Sequence, residues 1–158
     1  MVRTNESTFL AEHLVHFDIA AIDNAIEHFL HGREYATLQS VTTFVPFPYC
    51  GQEWNLFLLE SYVFRFSELF RYKAGAINSQ NVGVIIRKSS PLVKTSHTKY
   101  NKDYDWILVD AIAKSDISLE EDCVLQFLFD ERYLAKMFKA NIKELLIQAK
   151  SLRERLGN

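Results

Sequence analysis

Two pairs of histidines carry the first suggestion of chemistry. His13 and His16, then His28 and His31, each stand three residues apart, with Glu12, Asp18, Asp23 and Glu27 close by. On a helix such a pair converges on one side, where two imidazoles can share a metal ion. Both pairs, however, fall in one helical pattern, and the step from the first to the second spans roughly 22 Å at about 1.5 Å per residue. They cannot meet at a single ion within one chain and read as histidines on the polar face of a helix.

A second cluster is acidic: Asp103, Asp105, Asp110, Asp116, Glu120, Glu121 and Asp122, with Lys114 the one cation inside the segment. Nuclease-type carboxylates need rigid elements and a neighbouring lysine. The simpler reading is a solvated helix face with acids at a helix start, where they favour the helix dipole. Cys50 and Cys123 form no Cys-x-x-Cys pair, which excludes a disulfide framework, and both read as small buried apolar residues. Gly83, alone in Asn81-Val-Gly-Val, reads as a close-packing site. No nucleophile motif, glycine-rich phosphate loop, zinc pattern or dinucleotide fingerprint occurs. The expectation is a protein with no catalytic residue, metal or cofactor.

The elements that position these residues follow from periodicity. Apolar positions from Phe9 to Leu30 recur at helical spacing, which predicts an amphipathic helix over 6–31 ended by Gly32. Residues 37–46 are rich in β-branched types and read as a short strand, followed by a turn at Pro46, Pro48 and Gly51. Residues 52–72 are apolar on more than one face, as in a buried helix, although the alternation of Tyr62, Phe64 and Phe66 also suits a strand. A short buried strand is expected at 82–87, with a helix as the alternative, and a polar loop at 89–101. Ile107, Leu108, Ala111 and Ile112 mark a short helix. Ser118 to Glu121 forms a capping box opening a helix through Phe129, 132–138 form an extended pair or wing, and a last helix starts at Asn141. The fold class expected is α+β, mostly helical, with about five helices, short strands and a C-terminal winged-helix-like module. The chain divides into a helical, aromatic region at 1–87, a basic polar loop at 88–103 and a helical region at 104–158, with one compact domain overall as the alternative. The length of 158 residues is enough for a core without metals or disulfides.

The net charge of -2 conceals opposed blocks. Residues 1–68 hold three basic and nine acidic side chains; 69–102 hold seven basic and no acidic ones; 103–158 hold eight basic and eleven acidic ones. The acid-free block comprises Arg71, Lys73, Arg87, Lys88, Lys94, Lys99 and Lys102, and suits either phosphates or an acidic protein surface. The chain also has 21 aromatic residues, more than one small core clearly needs. Phe44, Phe47, Tyr49 and Trp54 around the Pro-Gly turn, with Tyr133 and Phe138 near the wing, are the candidates for a partner interface. The N-terminus lacks a signal-peptide pattern. The most apolar window, Trp54 to Phe70, is broken by Glu60, Arg65 and Glu68, so no membrane span and a cytoplasmic location are expected.

The stretches Trp54 to Tyr62, Asn81 to Ser90, Ile107 to Ala111 and Ile147 to Arg153 together resemble the middle components of three-component ABC-ATPase anti-phage defence systems of the Lamassu type. The resemblance covers roughly residues 54–153 and is one of texture; no catalytic residue is carried over. It implies a non-catalytic accessory subunit in a hetero-oligomer that binds an SMC-like or Rad50-like ATPase and an effector, often a nuclease. Its basic segment would then touch a partner, or DNA through the complex. The alternative from the residues themselves is a stand-alone winged-helix-type nucleic-acid-binding module.

Overall fold

The computed structural model describes residues 2–4, 8–75, 81–93, 102–135 and 142–157. Five helices and two small antiparallel sheets make an α+β fold. The first sheet is a two-stranded pair, β1 (Val2–Arg3) with β2 (Phe9–Leu10). The second has three strands in the order β3-β5-β4: β3 (Tyr35–Thr37), β4 (Phe70–Ala74) and β5 (Gly83–Arg87). The helices are α1 (Ile19–Leu30), α2 (Leu56–Arg65), α3 (Lys102–Lys114), α4 (Glu121–Asp130) and α5 (Ile142–Leu156).

Strand β5 organises the molecule. Side chains alternate across a strand, so its apolar run must face two ways. Ile85 packs into a cluster with Ile22, Ile26 and Leu30 of α1 and Leu59, Tyr62 and Val63 of α2. Val84 and Ile86 join a second cluster with Ile107, Leu108 and Ile112 of α3, Val124 and Leu128 of α4, and Leu145 and Ala149 of α5. The sheet therefore lies between two helical layers. Gly83 is where the strand permits the closest approach: a Cβ there would lie 2.5 Å from the Lys73 carbonyl oxygen and 2.5 Å from the Tyr72 hydroxyl.

The strand at 82–87 and the final helix lie where their patterns predict. The first helix is shorter than predicted. It starts at Ile19, because the Asp18 side chain accepts from the Ala21 amide and caps it, and it ends with His31 left-handed and Gly32 at φ 79°. The residues before it form β2, a short 3₁₀ turn (Glu12–Leu14) and an extended stretch in which the His16 amide donates to the Cys50 carbonyl. Val15 is buried there with Val2, Cys50 and Leu58, so its apolar spacing serves a cluster rather than a helix face. The two histidine pairs are thus not on one helix.

The 52–72 pattern resolves into a helix and a strand. Asn55 caps α2 by accepting from the Leu58 amide, and the helix closes at Phe66. The chain then turns into β4, which places Arg71 and Lys73 on a strand. In 37–46 only Thr37 is in a strand; Leu38–Ser40 form a 3₁₀ turn, and Leu38 and Val41 turn inward to the first cluster. The predicted capping box is not formed. Helix α4 begins at Glu121 with Glu120 as its N-cap and no side-chain cap bond, leaving Glu121 and Asp122 in the first turn to meet the helix dipole. The described part of the wing segment, residues 132–135, is a turn. Arg132 is left-handed, the Tyr133 and Leu134 amides donate to the Leu128 carbonyl, and the Ala135 amide donates to the Gly75 carbonyl at the end of β4. Residues 136–138 and Asn141 lie outside the described residues. Cys50 is buried as expected, but Cys123 is exposed on the outer side of α4.

Candidate functional site

The site is assembled around a buried carboxylate. Asp23, on the inner face of α1 and 2% exposed, accepts four hydrogen bonds: from the Tyr62 hydroxyl at 2.7 Å, the Ser67 hydroxyl at 2.7 Å, and the Glu68 and Leu69 amides at 3.1 Å each. A buried carboxylate persists only when its oxygens are satisfied in this way. Burial and the bond to Asp23 hold the Tyr62 hydroxyl well above its ordinary pKa. The Ser67 hydroxyl in turn receives the Phe70 amide at 3.0 Å, so one acid sets the turn that launches β4.

This turn shapes a cleft of about 330 Å³ lined by the end of α2, the turn, β4 and the residue after β5. Four cations line it, namely Arg65, Arg71, Lys73 and Lys88, and no carboxylate does. The Lys88 ammonium donates to the Ser67 carbonyl at 2.9 Å, and Arg65 pairs with Glu12. The Arg71 side chain is exposed and makes no hydrogen bond or ion pair among the described residues. A groove of about 280 Å³ lies along the same strand, its surface mostly apolar from Phe9, Phe64, Tyr72 and Ala74, with Arg3, Glu60, Ser61 and Arg65 at its walls. Phe64, 71% exposed, Arg65 and Tyr72 line both. The arrangement can bind an anion or an acidic segment.

Arg71, Lys73 and Lys88 of the acid-free block therefore come together. Arg87 does not join them: its guanidinium forms a two-pronged pair with Glu27 on α1, donates to the Arg33 carbonyl at 2.9 Å and lies over the Phe70 ring. The bond from Arg87 holds the Glu27 carboxyl below its ordinary range. Lys94 and Lys99 lie outside the described residues, and Lys102 is the first residue of α3. Sequence reasoning missed Arg65, which belongs by position to the acidic first block and enters the cleft only because α2 ends beside β4. It also passed over Asp23 as one acid among the histidines; no local signal marks the residue, since its partners lie some forty positions away.

No family model matches this chain, and no curated protein or solved structure matches it either.

The predicted interface aromatics are mostly internal. Phe47 is buried, Phe44 and Trp54 are partly buried against the first cluster, and these rings contact one another and Phe17, Phe29 and Tyr62. The Trp54 indole donates to the Pro48 carbonyl at 2.7 Å. Tyr49 is the exception, 82% exposed. Tyr133 is partly buried against Tyr35 and Phe127, and Phe138 lies outside the described residues.

The acids of the cluster from Asp110 onward hold no common site. Asp110 accepts from the Tyr35 hydroxyl at 2.7 Å and pairs with Lys114 at 3.1 Å, while Asp116, Glu120, Glu121 and Asp122 are exposed. Among the described residues no three histidine, cysteine or acidic side chains come together as a metal set, and no helix is long and apolar enough to cross a membrane.

Proposed function

We propose that the protein is a non-catalytic accessory subunit that binds a larger partner through the cleft beside β4. The observation that carries this reading is the convergence of Arg65, Arg71, Lys73 and Lys88 on one carboxylate-free recess, next to an exposed Phe64. A same-sign recess with an apolar neighbour is a surface that an acidic protein segment complements. The resemblance over residues 54–153 suggests which partners to test first: an SMC-like or Rad50-like ATPase and an effector nuclease of an anti-phage defence system, in a cytoplasmic assembly.

The test is co-purification of the tagged protein, expressed with its neighbouring genes, followed by light scattering. A hetero-oligomer that is lost on Arg71→Glu is the expected result; a lone monomer in every preparation counts against the proposal. The same cations also suit phosphates, which keeps direct nucleic-acid binding as the second reading. It requires a gel shift that weakens steeply with salt and with Arg71→Glu.

A further inference from the structure

We infer that the free edge of β4 is a docking site for an extended segment of a partner protein, which adds as a fourth strand and alternates acidic with apolar side chains. This rests on the accessory-subunit reading and specifies its partner's chemistry.

Among the described strands, the order puts β4 at an edge, bonded on its outer end only where the Ala135 amide reaches Gly75. Its register with β5 decides which main-chain groups are spare. The Lys88 amide donates to Leu69 and the Gly75 amide donates to Val82, and antiparallel pairs alternate. Arg71 and Lys73 therefore direct their main-chain groups to β5, while Tyr72 and Ala74 direct theirs outward. The Phe70 amide is taken by Ser67, but the outward amides and carbonyls of Tyr72 and Ala74 have no partner among the described residues. Such a row is a template for strand addition.

The side chains specify the occupant. Arg71 stands opposite Ile86 and Lys73 opposite Val84, and directly opposed residues share a face. That face is the one turned to α3–α5, whereas Phe70 and Tyr72 face α1 and α2. An added strand places alternate side chains on the two faces. Those beside Arg71 and Lys73 meet two cations, and those beside Tyr72 meet the mostly apolar groove under Phe64 and Phe9. Charged residues on an edge commonly guard it against self-pairing. Here both charges have one sign, so a second copy of β4 is repelled and an acidic strand is favoured. The chain's own 94–101 segment carries two lysines and no acid, which makes it a poor occupant.

The experiment selects binders to the full chain from a random library of displayed peptides about ten residues long, and measures the enriched peptides by fluorescence anisotropy. The expected peptides alternate acidic and apolar residues. Ala74→Pro removes one outward amide at an exposed edge position where proline is tolerated, and should weaken binding at least tenfold without lowering the melting temperature. Should that variant fold poorly, a peptide N-methylated at alternate amides reads the same main-chain bonds, and Arg71→Glu reads the charged face. Enriched peptides without alternation, affinity indifferent to both Ala74→Pro and N-methylation, or tighter binding of a single-stranded oligonucleotide than of any peptide would each overturn the inference. If partners co-purify with the Ala74→Pro protein as well as with wild type, the edge inference falls while the accessory-subunit reading stands. If wild type never leaves the monomer, that reading falls and takes the inference with it.

Discussion

Asp23 shows how much one residue can decide. Its carboxylate joins α1 to α2 through Tyr62 and to the start of β4 through Ser67, Glu68 and Leu69. Removing a buried acceptor strands its donors, at a cost of about 1–3 kcal/mol for each group left unsatisfied and out of reach of water. We expect Asp23→Ala to lower the unfolding free energy by roughly 3 kcal/mol, within the range of disrupted buried networks, as read by urea denaturation. A loss under about 1 kcal/mol would mean that water replaces the carboxylate and that the turn does not depend on it. The Arg87 pair with Glu27 is a different case, because the side chains are 23% and 39% exposed and solvent screens them. Its worth is on the order of 0.5–1 kcal/mol. The Glu27 carboxyl is held below its ordinary range by the bond from Arg87, so the pair's contribution is fully present above that range and is lost as the pH falls through the lowered value. Melting temperatures of wild type and Glu27→Gln should therefore differ at neutral pH and converge as the pH falls below the lowered Glu27 value. A constant gap across that interval would assign the difference to packing. Neither residue's role was legible in the chain. Asp23 looked like a companion of histidines and Arg87 like a free cation, because each acquires its partner from an element distant in sequence.

At the scale of elements, legibility followed how far tertiary bonds overrode a segment's pattern. Val84, Ile85 and Ile86 form a short apolar run between Gly83 and Arg87 that suited a strand first and a helix second, and it is a strand buried on both faces. The terminal helix has a clear stripe at Leu145 and Ala149. The 6–31 and 52–72 patterns failed at their ends, where tertiary bonds override periodicity: His16 to Cys50 before α1, and Asp23 to Leu69 after α2. The candidate site was half legible for the same reason, since the acid-free block marks Arg71, Lys73 and Lys88 but not the α2 terminus that brings Arg65. One element contact has a measurable consequence. Arg153 of α5 donates to the carbonyls of Ile112, Ala113, Ser115 and Ile117 at 2.8–3.2 Å, capping the end of α3 with a cation where the helix dipole favours one. Arg153→Ala should cost about 2–3 kcal/mol by chemical denaturation, and Arg153→Lys should recover less than half of this, since one ammonium cannot serve four carbonyls. Full recovery by lysine would reduce the role to charge alone. Gly83→Ala, which drives a methyl into the Lys73 carbonyl and the Tyr72 ring, should lose about 1–3 kcal/mol by the same measurement.

For the whole molecule, the question is whether two helical layers with separate clusters fold as one unit. The charge blocks and the polar 88–103 segment invite a division near that segment, yet β5 contributes Ile85 to one cluster and Val84 and Ile86 to the other. Neither layer can lose the sheet without exposing the other's apolar face, and domains of this size commonly unfold in one cooperative step. The two tryptophans report separately, because Trp54 packs against the α1–α2 cluster while Trp106 sits on α3. Variants retaining one tryptophan, Trp106→Phe and Trp54→Phe, should each give a fluorescence transition that coincides with its own far-ultraviolet circular dichroism. In those backgrounds Ile85→Ala and Val84→Ala remove contacts from opposite faces of β5, and each should move both reporters by the same amount, about 2–4 kcal/mol for Ile85 and somewhat less for the smaller Val84. A transition of Trp106 that ignores Ile85→Ala would show that the α3–α5 layer folds independently. The cleft beside β4 would then be formed by only one of two autonomous units, because Arg65, Arg71, Lys73 and Lys88 all come from residues before the 94–101 segment.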